Sequence, residues 1–286
     1  GWQSDREIEA HFDWYGATIE DRPERVVDRL SVAFCASMRP ARPRHGYSEA
    51  FELVDASGTV TTVFIGGSNG APHAVCSGQA SDKFVAAVRR NWPSAHSVAR
   101  MDSRIDFGGA ESDSHTWDLL YPTVAAFAQE RGLATSIHGD FLGSGDAGRT
   151  LYVGSPKSEV RLRLYEKSKE VRAHSHTGSG AVASDWVRIE VQVKPKGTAR
   201  RSAATASALE VWGYSRWTQD LLAQLTTLDV PRTQITPGRQ SDDERKFENL
   251  LRQYGPVMRR MTAVKGWDAV AARIERAVLT EEPRAC

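Results

Sequence analysis

The sequence is short of several things, and each shortage narrows what the chain can be. It has three cysteines, Cys35, Cys76 and Cys286. Being odd in number and far apart, they spell neither a zinc site nor a disulfide frame, and they suit a reducing cytoplasm. No apolar run approaches the roughly 20 residues that cross a bilayer, so no membrane span and no signal peptide are expected. Net charge is only +1, so no general basicity announces nucleic acid, and any polyanion site has to come from local clustering. No internal repeat and no low-complexity tract breaks the chain. What remains is ordinary soluble composition, 40% apolar and 26% charged over 286 residues. That is enough for one large domain, or a core domain with an appendage.

Against this plain background the stretch from Gly148 to Lys194 stands out. A strand alternates its side chains between two faces. Read so, Arg161, Arg163, Tyr165 and Lys167 share one face while Leu162 and Leu164 share the other. In Asp185 to Val193, Arg188, Glu190 and Gln192 oppose Val187, Ile189, Val191 and Val193. Upstream, Ser97 to Phe107 places Arg100, Asp102, Arg104 and Asp106 away from Ala99, Met101, Ile105 and Phe107. Three strands thus repeat one composition: an apolar side and a side of cations and acids carrying a tyrosine.

The rest of the chain supplies a frame. Asp13 to Ile19 reads as a first strand, and Pro23 starts a helix. Arg39 to Gly46 reads as a loop. Tyr47 to Val54 and Thr59 to Ile65 flank Asp55-Ala-Ser-Gly58, a hairpin pattern. A strand at His73 to Ser77 precedes helices after Ser81 and Ser114, the second closed at Gly132. Strands follow at Thr135 to Phe141 and Arg149 to Ser155, and the polar run Lys169 to Ser184 reads as a mobile loop. The order is α+β with a mainly antiparallel central sheet, flanking helices and a helical C-terminal part. Residues 1–228 are expected to form one domain, with a linker through Pro231 and Pro237 and a helical extension over 240–286 that could contact DNA.

Acids, cations and a tyrosine on one sheet face make a specific chemistry available. Asp102, Asp106 and Glu190 are hard oxygen ligands that suit Mg2+ or Mn2+. Arginines beside them suit phosphate. A tyrosine hydroxyl is a weak nucleophile at its ordinary pKa of about 10, but neighbouring cations favour the phenolate. Together the parts describe a transesterase of phosphodiesters. Each part alone reads more plainly as a solvated sheet face with surface ion pairs, worth little energy. His138 and Asp140 flank the region; His73, His174 and His176 carry no ligand pattern on a strand.

These residues resemble the trans-acting replication initiators of rolling-circle plasmids and filamentous phages. The resemblance rests on Arg100-Met-Asp-Ser-Arg-Ile-Asp106, His138-Gly-Asp-Phe141, Arg149 to Ser155, Arg161-Leu-Arg-Leu-Tyr-Glu-Lys167 and Val187 to Val193, in that order, and the opening Asp13-Trp-Tyr-Gly-Ala-Thr also fits. It implies a fold related to the HUH endonucleases and a site-specific nickase-ligase that stays joined to a 5′-phosphate through tyrosine. It implies Tyr165 as nucleophile, with Lys167 and Arg163 beside it. Asp102, Asp106 and Glu190 fall at the metal-binding acids, and Asp140 is a further candidate. HUH enzymes usually hold metal with two histidines on one strand; no His-x-His lies on an expected core strand here, which favours carboxylates. No second tyrosine follows Tyr165 closely. The terminating strand transfer is then left to Tyr152, Tyr15 or a second protomer, so a homodimer is one expected arrangement.

DNA is expected to be gripped through Arg104, Arg149, Arg161 and Arg188, with Arg39, Arg42, Arg44, Arg200, Arg201, Arg259 and Arg260 as further phosphate contacts. The implied partners are origin DNA with its scissile strand unpaired or in a hairpin, and a host helicase and polymerase. The implied setting is the cytoplasm. Two other functions fit the same residues: a non-catalytic DNA-binding regulator, and a metal-dependent nuclease that uses water.

Overall fold

The computed structural model describes residues 9–108, 116–142, 147–174, 185–226 and 242–279. The chain divides into two compact units, Gly1–Thr236 and Pro237–Cys286. In the first, the order is β1 (His11–Ile19), α1 (Pro23–Phe34), β2 (Ser37–Ala41), β3 (Glu49–Asp55), β4 (Gly58–Ile65), β5 (His73–Ser77), α2 (Ser81–Asn91), β6 (His96–Phe107) and α3 (Thr116–Glu130). It continues with β7 (Thr135–His138), β8 (Thr150–Val153), β9 (Val160–Glu166), α4 (Lys167–His174), β10 (Val187–Val193), α5 (Ala199–Ser202) and α6 (Arg216–Leu225). The second unit holds α7 (Asp242–Lys265) and α8 (Trp267–Leu279), which pack together around a turn at Gly266. The linker expected near Leu228 to Arg239 lies outside the described residues.

All ten described strands form one sheet, ordered β2-β3-β4-β5-β1-β6-β10-β9-β8-β7. Every described pairing is antiparallel. This is the α+β architecture the alternating strands predict. One face is the core. Met101 and Ile105 of β6, Ile189 and Val191 of β10, and Leu162 and Leu164 of β9 lie there fully buried. Val26 and Leu30 of α1, Phe84 and Val88 of α2, Leu120 and Val124 of α3 and Leu221 of α6 join the same cluster. Each buried aliphatic side chain of this kind contributes about 1.5–3 kcal/mol. Trp212, also fully buried, donates its indole N–H to Ser103 Oγ at 3.1 Å, so its one polar atom is satisfied.

Two segments differ from expectation. Arg39 to Ala41, read as the start of a loop, belongs to edge strand β2. Pro40 is tolerated there because an edge strand has one side free of ladder bonds. Lys167 to His174, read as strand end and loop, is helix α4. Ion pairs Lys167–Glu170 and Glu166–Lys169 lie three residues apart, a helical spacing. The Ser168 N–H reaches the Trp186 carbonyl at 3.0 Å, which turns the chain out of β9.

Candidate active site

The other sheet face carries the polar residues, and register sorts them into rows. Directly opposed residues of antiparallel strands point to the same side. Asp106, Arg188, Tyr165 and Thr150 form one row across β6, β10, β9 and β8. Arg104, Glu190, Arg163 and Tyr152 form the next, and Asp102, Gln192 and Arg161 the third. Strands distant in sequence are therefore neighbours in the sheet, and nearly all the expected site residues share one surface.

Tyr165 sits at the centre, 3% exposed. Its hydroxyl donates to Glu190 Oε1 at 2.6 Å. The other carboxylate oxygen, Oε2, accepts from Arg163 Nε and Nη2 at 3.2 and 2.7 Å. The Arg163 guanidinium also lies over the Tyr165 ring, 4.3 Å from its centroid. Burial first, then the Glu190 charge, pushes the Tyr165 phenol far above its ordinary value. Burial raises the Glu190 carboxyl as well, against the opposing pull of Arg163. Lys167 starts α4, with its ammonium 5.6 Å from the Tyr165 centroid and paired to Glu170.

Around this pair runs a frame of ions. Arg188, 4% exposed, donates Nε to Asp106 Oδ1 at 2.7 Å, Nη2 to Asp106 Oδ2 at 3.0 Å and Nη1 to Asp13 Oδ1 at 2.8 Å. Arg104 donates to Asp106 at 2.6 Å and lies 3.3 Å from Asp13. The Trp186 indole donates to Asp106 at 2.8 Å. Burial alone would raise Asp106, but the hydrogen bonds and charge of Arg188 hold it below the ordinary carboxylate value. Arg100 pairs with Asp102 through both carboxylate oxygens, while burial pushes Asp102 up. Arg149 grips Glu166 at 2.9 and 3.0 Å and covers Trp117, off the rows just described.

Asp13 is the residue that sequence reading misses. His11 opposes Arg104 and Phe12 opposes Ser103, but the next paired residue of β1 is Trp14, opposite Asp102. Asp13 is extra at this irregularity, so strict alternation assigns it no face. An acid just before a tryptophan in a strand otherwise apolar and aromatic was the available signal.

Arg161 differs from its neighbours. It stacks on Tyr152, 4.0 Å from the ring centroid. Its Nε is buried without a hydrogen-bond partner, and it has no carboxylate partner among the described residues. Arg161, Tyr152, Arg163, Glu190, Gln192 and Arg100 line a cleft of about 200 Å³. Tyr15, the third tyrosine considered, is wholly buried in the core and 3.2 Å from His96 Nε2. Burial pushes it up to about 12. His138 packs edge-on against Tyr152 at 5.3 Å, and the charge of Asp140 acts on Arg149. His176 lies outside the described residues.

The three acids expected to hold a metal are not gathered as a ligand set. Asp102 belongs to Arg100, Asp106 to Arg188 and Arg104, and Glu190 to Arg163 and Tyr165. No three His, Cys, Asp or Glu side chains among the described residues converge closely enough for a metal ion. In this arrangement the acids fit guanidinium groups and do not fit a divalent cation.

Sequence comparison finds that residues 97–252, over half of the chain, match the profile of a family described as replication initiation factor. No curated protein sequence matches the chain. Among solved structures, the chain resembles a rolling-circle replication initiator protein from Geobacillus stearothermophilus. The two share 16% identity with a TM-score of 0.52, over 79% of this chain and 99% of the other. At that identity the likeness is one of fold.

Proposed function

The chain belongs to the replication initiation factor family, and on that premise we propose that it nicks and religates one strand of origin DNA, with Tyr165 as nucleophile. The observation that carries this reading is the 2.6 Å hydrogen bond from the Tyr165 hydroxyl to Glu190, roofed by Arg163. A phenol attacks phosphorus as it loses its proton. Burial makes free phenolate scarce at Tyr165, so a carboxylate already bonded to that proton is the available route. A raised Glu190 is also the stronger base.

In the proposed step, Tyr165 Oη bonds to the scissile phosphorus while its proton passes to Glu190. The bond from phosphorus to the 3′ oxygen breaks, and Glu190 returns the proton to that oxygen. The products are a 5′-phosphotyrosine and a free 3′-hydroxyl, and the reverse rejoins the strand. Arg161 supplies a guanidinium with no carboxylate to release first, and Arg163 is shared between phosphate and Glu190. Arg104 and Arg188 take a different role from the one expected of them: they hold Asp13 and Asp106 and so tie β10, the strand that carries Glu190, to β6 and β1. Mg2+ or Mn2+ would have to displace a guanidinium to reach Asp102, Asp106 or Glu190, and no step above depends on one. Exposed Arg259 and Arg260 of α7 give the C-terminal unit a cationic surface for duplex origin DNA.

A second reading places the nucleophile at Tyr152, because Tyr152 lines the cleft and Tyr165 does not. One experiment separates the two. The protein is incubated with single-stranded origin oligonucleotide, with and without Mn2+, and the tyrosyl-DNA peptide is mapped by mass. Tyr165→Phe is expected to abolish the adduct and Tyr152→Phe to keep it; the opposite pattern assigns the attack to Tyr152. Cleavage with no attached protein indicates a water-using nuclease. Binding without cleavage in either condition indicates a regulator.

A further inference from the structure

Beside the ion rows the same open face changes character. Trp14, Gly16 and Thr18 of β1 share a side with Arg100, since Gly16 opposes Arg100 on one flank and Val75 on the other. Thr18 opposes His73, and His73 opposes Phe64 of β4. Tyr47 stacks on His73 at 6.0 Å with an 18° tilt, and Phe64 lies 5.6 Å from Tyr47 and 6.4 Å from His73. His45 adds an edge to Phe64 at 6.5 Å. None of these rings reaches the core; they are half-buried or exposed. Trp14, His45, Phe64 and His73 wall a cleft of about 360 Å³ with Gly16 in its lining.

Four features of this cleft point to one occupant. Its floor is bare: a Cβ on Gly16 would meet His73 Nε2 at 3.4 Å and Trp14 Nε1 at 3.6 Å, so the missing side chain leaves a gap between two rings. Its margin is cationic. Arg44 lines it without a carboxylate partner among the described residues, and Arg200 reaches Thr18 Oγ1 at 3.2 Å. The His73 ring is uncharged at neutral pH, because burial, then the Arg200 charge, pushes it down to about 4. Finally, it adjoins the cleft of the proposed site. Arg100 lines both, and its guanidinium lies over Trp14, 4.5 Å from the ring centroid. Flat neutral rings with cations at the rim suit unpaired bases with their phosphates outside; duplex DNA hides its base faces.

We infer that the Trp14, Tyr47, Phe64 and His73 surface is a stacking platform that holds the unpaired bases flanking the scissile phosphate. This rests on the nicking reading above, and it adds where the strand lies and why it must be single.

The test uses the full chain and a labelled oligothymidylate carrying one 2-aminopurine, whose fluorescence is quenched when the base stacks. Tyr47→Leu with Phe64→Leu is expected to weaken strand binding about tenfold or more, given the usual worth of base–aromatic stacks, and to relieve the quenching. Gly16→Ala keeps every ring and raises the floor by one methyl, and is expected to relieve the quenching too. Thermal melts confirm that the variants fold. Unchanged affinity and quenching in both variants would overturn the inference, as would a duplex competing as well as the single strand. Adduct formation is read separately, on saturating single-stranded origin oligonucleotide. An adduct with no platform effect sinks this inference and leaves the nicking reading standing. A platform effect with no wild-type adduct does the reverse.

Discussion

On one half of the open face every acid is answered by a guanidinium; on the other, rings stand with their cations at the margin. The first half is β6, β10 and β9, where Asp106, Asp102 and Glu190 are each held by arginine. The second is β1, β5 and β4, where Tyr47, Phe64 and His73 lie against one another. Both halves sit on one sheet over one core, so the difference is not one of fold. It divides labour: the ionic half fixes geometry around Tyr165 and meets the reacting phosphate, while the aromatic half offers affinity without chemistry.

The largest expected effect lies in the ionic half. Glu190→Gln keeps the shape and an acceptor for the Tyr165 hydroxyl but removes the base. Adduct formation at saturating strand should slow about 10²–10⁴-fold, with strand affinity little changed. The wild-type rate should also fall on acidification. Glu190 must be ionised to take the proton, and its folded value lies above the ordinary 4.5. The fall should therefore begin at a higher pH than an unperturbed glutamate would give. A slowing of less than tenfold in Glu190→Gln would remove Glu190 from the step.

How much of this division can be read from sequence depends on which residues carry it. The faces of β6, β9 and β10 are legible because period-two alternation is a local property. The core positions Met101, Leu164 and Ile189 follow from the same rule. Which guanidinium meets which carboxylate is not local. Arg104 and Arg188 look as free for phosphate as Arg161 does until register places Asp106 and Asp13 against them. Asp13 is hidden by an extra residue in β1, and the helical place of Lys167 by a turn that depends on the distant Trp186 carbonyl. The aromatic patch is invisible for a related reason. Tyr47, Phe64 and His73 come from separate segments, each unremarkable alone, and only the β3–β4–β5 pairing gathers them.

The next effect is on stability, and it sharpens the contrast. Arg188→Met leaves Arg104 as the remaining guanidinium on Asp106 and Asp13, and breaking a buried ion network of this kind costs about 3–5 kcal/mol. Phe64→Leu, in the half-buried patch, should cost less than about 1.5 kcal/mol. Urea melts read both, as midpoint shifts at constant slope. The pH dependence has a definite sign. Asp106 holds its proton less readily folded than unfolded, so its contribution is full above the ordinary 3.8 and is lost as the pH falls through its lower folded value. Arg188→Met should flatten that acid limb and Phe64→Leu should not. Equal costs in the two halves would erase the division.

The smallest effect discriminates best between charge and stacking. A protein cation that neutralises one phosphate releases a counterion, so its loss changes how binding depends on salt; a ring that stacks a base does not. Arg161→Ala should therefore lower the slope of log K against log salt by about 0.7 for a single strand. Tyr47→Leu with Phe64→Leu should move the whole line down and leave the slope alone. Arg188→Met, despite removing a full positive charge from the same face, should also leave the slope nearly unchanged, because that charge is already spent on Asp13 and Asp106. If Arg188→Met lowers the slope as much as Arg161→Ala, the ion network opens on binding and Arg188 meets phosphate after all.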